Sequence, residues 1–284
     1  MKYVVLFVAM LLLFATTRAA AEDVNASVRI LLLTKSAGFE HSVIKQDKSG
    51  VSHVERILKP LADEMGATLT CTKDASLINA ENLDNYDVVI FYTSGDLTKP
   101  GTDEHPPMAE DGVDALLKWI RAGGGFVGFH AATDSFRGGR RGPTPYTEMI
   151  GAEFETHGAQ FAGTIIKTSP DHPAVASLPE RWTLQDEWYL FSHLNKEAMH
   201  VLAVLEPGDE RQKQEMYNIP AYPMIWCRHY GDGRVLYNGM GHREDVWEHT
   251  TFKDMVVEHI RWANGEDPLQ AEPNYADVVL ETVE

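Results

Sequence analysis

Only two cysteines, Cys71 and Cys227, occur in 284 residues. A dense disulfide scaffold and a Cys-x-x-Cys metal or redox site are excluded. Cys71 ends a strand pattern and Cys227 lies inside another, so two buried free thiols are expected in place of a single bridge. Basic residues are also scarce: 25 Lys and Arg stand against 42 Asp and Glu, a formal charge of -17. Nucleic-acid binding needs a basic footprint, so a polyanionic partner is excluded and a neutral or cationic ligand is favoured. Beyond residue 14 no apolar run approaches the roughly 20 residues of a membrane span. Several motifs are missing as well. There is no Gly-x-Gly-x-x-Gly opening a helix, no Gly-x-Ser-x-Gly elbow, no His-Glu-x-x-His and no calcium loop.

The one long apolar stretch, Val4 to Phe14, comes after Lys2 and precedes Ala19-Ala20-Ala21. This pattern reads as a secretory signal peptide over residues 1–21, the alternative being an uncleaved anchor. No cysteine stands behind it to carry a lipid. The expectation is a secreted or periplasmic protein with no membrane attachment after cleavage. Loss of Lys2 and Arg18 takes the charge from -17 to -19.

Downstream of these residues the chain carries an α/β pattern. Val28 to Thr34 and Tyr86 to Tyr92 are near-continuous apolar runs, the mark of parallel strands buried on both faces. Between them lie a helical stripe of Val54, Ile57, Leu58, Leu61 and Met65, stopped by Gly66, and a short strand over Thr68–Thr72. A second helix over Gly112–Ala122 leads into a strand at Phe126–Phe129. Such alternation predicts a doubly wound parallel sheet. After residue 135 the pattern loosens. A basic Gly/Pro loop, Arg137 to Pro145, and a short helix over Tyr146–Ile150 precede five strand candidates that read as antiparallel or mixed: Gly163–Lys167, Thr183–Leu184, His200–Leu205, Met224–His229 and Arg234–Asn238. A helix over Phe252–Ala263 ends at Gly265, so one domain spans residues 22–265. Residues 266–284 read as a loosely attached acidic tail.

Four of the twelve histidines sit in loops beside glycines or past strand ends. His41 follows the first strand and His130 the fourth. His157 lies in Phe154-Glu155-Thr156-His157-Gly158, and His242 follows the strand Arg234–Asn238. Ligands in open α/β sheets bind beyond the carboxyl ends of the strands, so His130 stands at the mouth of a site. Imidazole suits proton transfer near neutral pH and metal ligation. His53, His105, His193, His200, His249 and His259 are read as structural, and His172 as a turn residue. Asp186-Glu187-Trp188-Tyr189 places a carboxylate pair beside two aromatics. Trp182, Trp188, Tyr189, Trp226 and Trp247 gather in the second half, which suits a small sugar-like ligand or a packed core. No cofactor is required by spacing. A divalent, zinc-like transition metal held by His41, His130, His157 and His242 is the one the residues allow.

Several stretches together resemble the ThuA-like (trehalose utilisation) family. They are Gly38-Phe39-Glu40-His41, Gly124 to Asp134, Gly151 to His157, Asp171-His172-Pro173, Asp186 to Tyr189, Pro223 to Arg228 and Gly231 to His242. The resemblance implies a flavodoxin-like fold akin to class I glutamine amidotransferases. Those enzymes carry a Cys at a strand-to-helix elbow and a later His-x-Glu. Here His130 takes the elbow and His242-Arg243-Glu244 the later pair, so glutaminase chemistry is excluded. The family's link to disaccharides and 3-keto sugars implies a carbohydrate substrate. The resulting expectation is an exported enzyme acting on a 3-keto disaccharide or glycoside. His130 serves as base or metal ligand with His242 as its partner, and Glu187 is a second acid or base. Trp188 is a sugar platform, and His41, His157, Tyr189 and Asp134 are substrate contacts. The alternatives are a non-catalytic sugar-binding module and an accessory subunit of an exported sugar dehydrogenase. Oligomeric state is not legible.

Overall fold

The computed structural model describes residues 27–218 and 222–279. The signal peptide read at residues 1–21 lies outside the described residues. Strand β1 (Arg29–Leu33) is buried from Ile30 onward, as an apolar run between two helical layers requires. Helix α1 (His53–Met65) is next. The Ser52 hydroxyl caps it by accepting from the Glu55 amide at 3.3 Å, and Gly66 closes it in the left-handed region at φ 69°. Then come β2 (Thr68–Thr72), α2 (Ala80–Leu83), β3 (Val88–Phe91), α3 (Gly112–Arg121) and β4 (Gly125–Phe129). The second half adds α4 (Pro145–Ile150), β5 (Glu153–His157), β6 (Phe161–Lys167), β7 (Arg181–Asp186), β8 (Tyr189–Ser192) and β9 (His200–Glu206). It ends with α5 (Asp209–Gln212), β10 (Tyr222–Tyr230), β11 (Gly233–Asn238), α6 (Glu244–Glu248), α7 (Thr250–Ala263) and α8 (Tyr275–Val278).

Among the described residues nine strands form one sheet in the order β2-β1-β3-β4-β11-β10-β9-β6-β7. The pairings from β2 to β11 are parallel, and those from β11 to β7 are antiparallel. The expected flavodoxin-like α/β architecture with antiparallel additions is therefore present. β11, read with the antiparallel group, is a hybrid: parallel to β4 on one edge and antiparallel to β10 on the other. Side-chain alternation divides the core in two. Ile30, Leu32, Val88 and Ile90 pack with α1 and α7, while Leu31, Leu33, Val89 and Phe91 pack with α3 and α4. β5 and β8 pair apart from the main sheet as a two-stranded antiparallel ribbon.

Two expectations need correction. Residues 266–279 are docked, not loose. Ala271, Tyr275 and Val279 are buried, the Trp262 indole donates to the Leu269 carbonyl at 2.9 Å, and the Val201 amide donates to Asn274 Oδ1 at 2.6 Å. Both cysteines are free, but only Cys227 is fully buried; Cys71 is half-buried, its thiol pushed up to about 12 by burial. Among the described residues no helix is long and apolar enough to cross a membrane.

Candidate functional site

The parallel strands deliver their exits to one end of the sheet, which is where chemistry collects in such folds. His41 lies beyond β1, His130 is the first residue after β4, and His242 lies beyond β11. Glu187 enters from the turn between β7 and β8, and His157 closes β5.

His130 occupies the elbow. Its φ is +39°, a conformation that costs a side-chain-bearing residue roughly 1–2 kcal/mol. The chain stays there because the His130 carbonyl accepts from the Tyr237 hydroxyl at 2.7 Å and from Thr133 Oγ1 at 3.3 Å. The ring is fully buried. Its Nδ1 lies 2.9 Å from the Gly239 carbonyl. A carbonyl only accepts, so Nδ1 carries a proton, and Nε2 is the ring nitrogen turned toward the cluster.

That Nε2 is 3.5 Å from Glu187 Oε2 and 3.3 Å from His242 Nδ1, and His242 Nδ1 is 3.1 Å from the same Glu187 oxygen. The Glu187 carboxylate only accepts, so the imidazoles are the donors in both of its contacts. His41 joins them: one ligand atom from each of His41, His130, Glu187 and His242 lies within 4.8 Å of all the others. The His41 ring is buried, with its Nε2 3.3 Å from the Tyr189 hydroxyl and its Nδ1 without a partner. Desolvation, then the charges of His130 and His242, push its pKa down to about 2, so it is neutral. Burial alone would raise the Glu187 carboxyl. Hydrogen bonds and charge from His130 and His242 outweigh burial and hold it well below the usual carboxylate range. Glu187 is therefore ionised and is not a resting proton donor.

These donors fit a metal ion. Four ligands at zinc–nitrogen distances of about 2.0–2.1 Å stand about 3.4 Å apart in a tetrahedron. The triangle of 3.1, 3.3 and 3.5 Å matches that edge. The outer contacts also suit ligation, because metal-bound imidazoles characteristically donate their second N–H to a carbonyl or carboxylate. His130 does so to Gly239. His157 lies outside the four, its Nδ1 3.2 Å from Glu187 Oε1 and 2.9 Å from the Gly158 carbonyl, with the ring partly exposed.

Asp186, read in the sequence only as half of a carboxylate pair, and two lysines with no sequence signal support this arrangement. Asp186 is buried, and burial raises its carboxyl pKa. It accepts from the Glu187 amide at 2.9 Å and from the Gly241 amide at 2.7 Å, tying the Glu187 turn to the His242 loop. Gly241 needs its φ of +105°, and a Cβ there would stand 3.0 Å from the Trp247 indole nitrogen. Behind His41, the buried Lys73 ammonium donates to Thr34 O at 2.9 Å and to Glu40 at 3.0 Å, and buried Lys35 pairs with Asp103 at 2.9 Å. A buried, paired lysine looks like any surface lysine in sequence.

Other expected site residues fall elsewhere. Trp188 is 0% exposed and donates to the Phe161 carbonyl at 2.8 Å, so it is core and offers no face to a sugar. Tyr189 does stay at the cluster, buried, with its ring tilted by 35° against His130 and the centroids 4.1 Å apart. Glu244 accepts from Ser42 at 2.6 Å, and the carboxylate on His242 is Glu187, so the later His-x-Glu does not form a pair here. Asp134 pairs with Arg137 at 2.7 Å and lines a neighbouring cleft of about 510 Å³. Burial raises its carboxyl, with Arg137 and His130 opposing.

The sequence signature of the ThuA family, described as trehalose utilisation, matches residues 29–263. No curated protein matches the chain. Among solved structures, a ThuA-like protein from Bacteroides uniformis superposes at TM-score 0.65 with 20% identity, covering 88% of this chain and 96% of that one. A ThuA-like protein from Parabacteroides merdae gives 0.63 at 17% identity, covering 88% and 96%. The carbohydrate deacetylase Agd3 gives 0.50 at 13% identity, covering 83% of this chain and 33% of that one. At these identities the likeness is one of fold.

Proposed function

The chain belongs to the ThuA family, and from that premise we propose an exported enzyme that cleaves 3-keto glycosides at a divalent metal centre. One observation carries the proposal: Glu187, His130 and His242 form a triangle of 3.1 to 3.5 Å with neutral His41 beside it. The family description supports a sugar as the substrate class, as does the fold shared with a carbohydrate deacetylase.

His41, His130, Glu187 and His242 would hold the ion. When bound, it supplies Lewis-acid polarisation of the C3 carbonyl. His130, fully buried and tied through Nδ1, suits a ligand more than a base. His157 suits the base. Glu187 and the Gly158 carbonyl hold its Nδ1–H, leaving Nε2 with the lone pair on a partly exposed ring. A C3 carbonyl acidifies the C2 hydrogen. His157 Nε2 takes that proton, the C–H electron pair becomes the C1=C2 double bond, and the glycosidic oxygen leaves with its bonding pair and takes a proton from water, whose hydroxide then recovers the proton held by His157. Glu187 stabilises the imidazolium that forms, and the apolar wall of Tyr189 and Phe154 excludes water behind it.

The experiment incubates purified protein with 3-keto-trehalose, with and without chelator and added divalent ions, and monitors release of glucose. Turnover that chelation removes, a divalent ion restores and His130→Ala abolishes is expected. No turnover under any condition, or turnover equal in wild type and His130→Ala, refutes the proposal.

A further inference from the structure

Among the described residues, the exposed large hydrophobics are Phe39 and Met216, and Phe39 is the more open at 67%. A single exposed apolar ring is ordinary on a protein surface, but this one is held in a fixed position beside the imidazole cluster. Phe39 is not on a loose loop. The Ala37 and Gly38 amides both donate to the Ser94 carbonyl, at 2.8 and 3.1 Å. Ser94 Oγ donates to the Phe39 carbonyl at 2.7 Å, and Thr102 Oγ1 donates to the Gly38 carbonyl at 3.2 Å. The backbone is clamped on both sides, and the ring is held out into solvent.

The surroundings of the ring are specific. Phe39 meets His41 in a T-shaped contact with centroids 4.9 Å apart, which places the ring beside the imidazole cluster. Its chain neighbour Gly38 lines the cleft of about 510 Å³ with Asp96, Asp134, Phe136, Arg137 and Arg141. That volume suits one small polar ligand. Its walls mix donors and acceptors, as a ring of hydroxyls requires. Asp134 is occupied by Arg137, whereas among the described residues Arg141 forms no ion pair or hydrogen bond through its side chain.

We propose that Phe39 and this cleft form the subsite for the leaving sugar: the second pyranose stacks on Phe39 and its hydroxyls bind Arg141 and Asp96. The proposal rests on the reading of the cluster as the glycoside-cleaving centre. It moves the aromatic platform from buried Trp188 to Phe39. The leaving ring is then selected by a rigid, pre-positioned face, so little ordering entropy is lost on binding.

The test compares 3-keto-trehalose, whose leaving group is a pyranose, with methyl 3-keto-glucoside, whose leaving group is methanol. Phe39→Ala is expected to raise KM about tenfold more for 3-keto-trehalose than for the methyl glycoside, the tenfold factor expected from losing one stacking contact of about 1.4 kcal/mol. Phe39→Trp restores it, and Arg141→Ala shifts the same ratio in the same direction. Equal KM effects on the two substrates overturn the subsite while leaving the cleavage reading intact. If the wild type turns over neither substrate, the cleavage reading has failed, and calorimetry with trehalose decides the subsite alone. Weaker binding by Phe39→Ala with unchanged zinc stoichiometry upholds it, and equal binding overturns it. Self-association of the wild type that Phe39→Ala removes would assign the ring to a protein contact and also overturn it.

Discussion

Two buried histidines outside the cluster make folding stability depend on pH in a calculable way. His259 donates through Nδ1 to the Ala174 carbonyl at 2.8 Å, and its Nε2 accepts from Asn238 Nδ2 at 3.0 Å. His172 latches the same residue from the other side, its Nδ1 accepting from the Ala174 amide at 3.2 Å while Nε2 donates to the Gln270 carbonyl at 3.1 Å. Every ring nitrogen is committed, so a second proton has no acceptor. Desolvation pushes His259 down to about 3 and His172 to about 4, from 6.5. Both folded pKa values lie below the unfolded one, so below pH 6.5 the unfolded chain binds more protons and stability falls as pH falls. Each group contributes about 1.4 kcal/mol per pH unit. At pH 5 the two together cost about 4 kcal/mol relative to neutral pH, a large share of a typical domain's 5–15 kcal/mol. Asn238 also accepts from the Met240 amide at 3.0 Å, so protonating His259 loosens the loop that carries His242. Urea unfolding at pH 7 and pH 5, on wild type and His259→Gln, measures the effect. The variant is less stable at pH 7, and its deficit shrinks by about 2 kcal/mol at pH 5. Parallel pH curves for the two proteins would refute the reasoning.

Three substitutions probe the site itself. Glu187→Gln removes the one negative charge among four imidazoles and should weaken zinc binding by at least the 10–100-fold seen for lost supporting contacts, measured by competition with a chromogenic chelator. Trp188→Phe removes one buried indole hydrogen bond and should cost about 1 kcal/mol of stability without changing KM, because the ring never meets the ligand. A selective rise in KM would restore it as a platform. Asp186→Asn keeps the shape but turns an acceptor toward a donor at the Glu187 and Gly241 amides; activity should fall while the melting temperature drops only slightly, read by paired kinetics and thermal unfolding.

The parallel half of the fold was legible because β1, β3 and β4 are buried on both faces and so read as unbroken apolar runs. β5 and β8 were not. They are four or five residues long, half-exposed, and pair with each other across a long stretch of chain, which leaves no local periodicity. Three site histidines announced themselves by their places after parallel strands. Trp188 and Tyr189 show the limit: adjacent residues of the same class, one directed into the core at Phe161 and the other onto His130, a difference set by the path of the turn and not by composition. The exchange of Glu244 for Glu187 on His242 has the same origin. Glu187 is remote in sequence and arrives through the β7–β8 turn, whereas Glu244, two residues from His242, is turned toward Ser42. Buried Lys73 and Lys35 carried no sequence signal, because only tertiary packing removes them from water.

Metal content is the most direct test of the four-residue centre. The protein should be produced without a histidine tag, dialysed, and assayed by plasma mass spectrometry beside His130→Ala. The geometry predicts one equivalent of a divalent transition ion in the wild type and its loss in the variant. A wild type that carries no ion and fails to bind zinc on titration, or a variant that binds it equally well, would contradict the account.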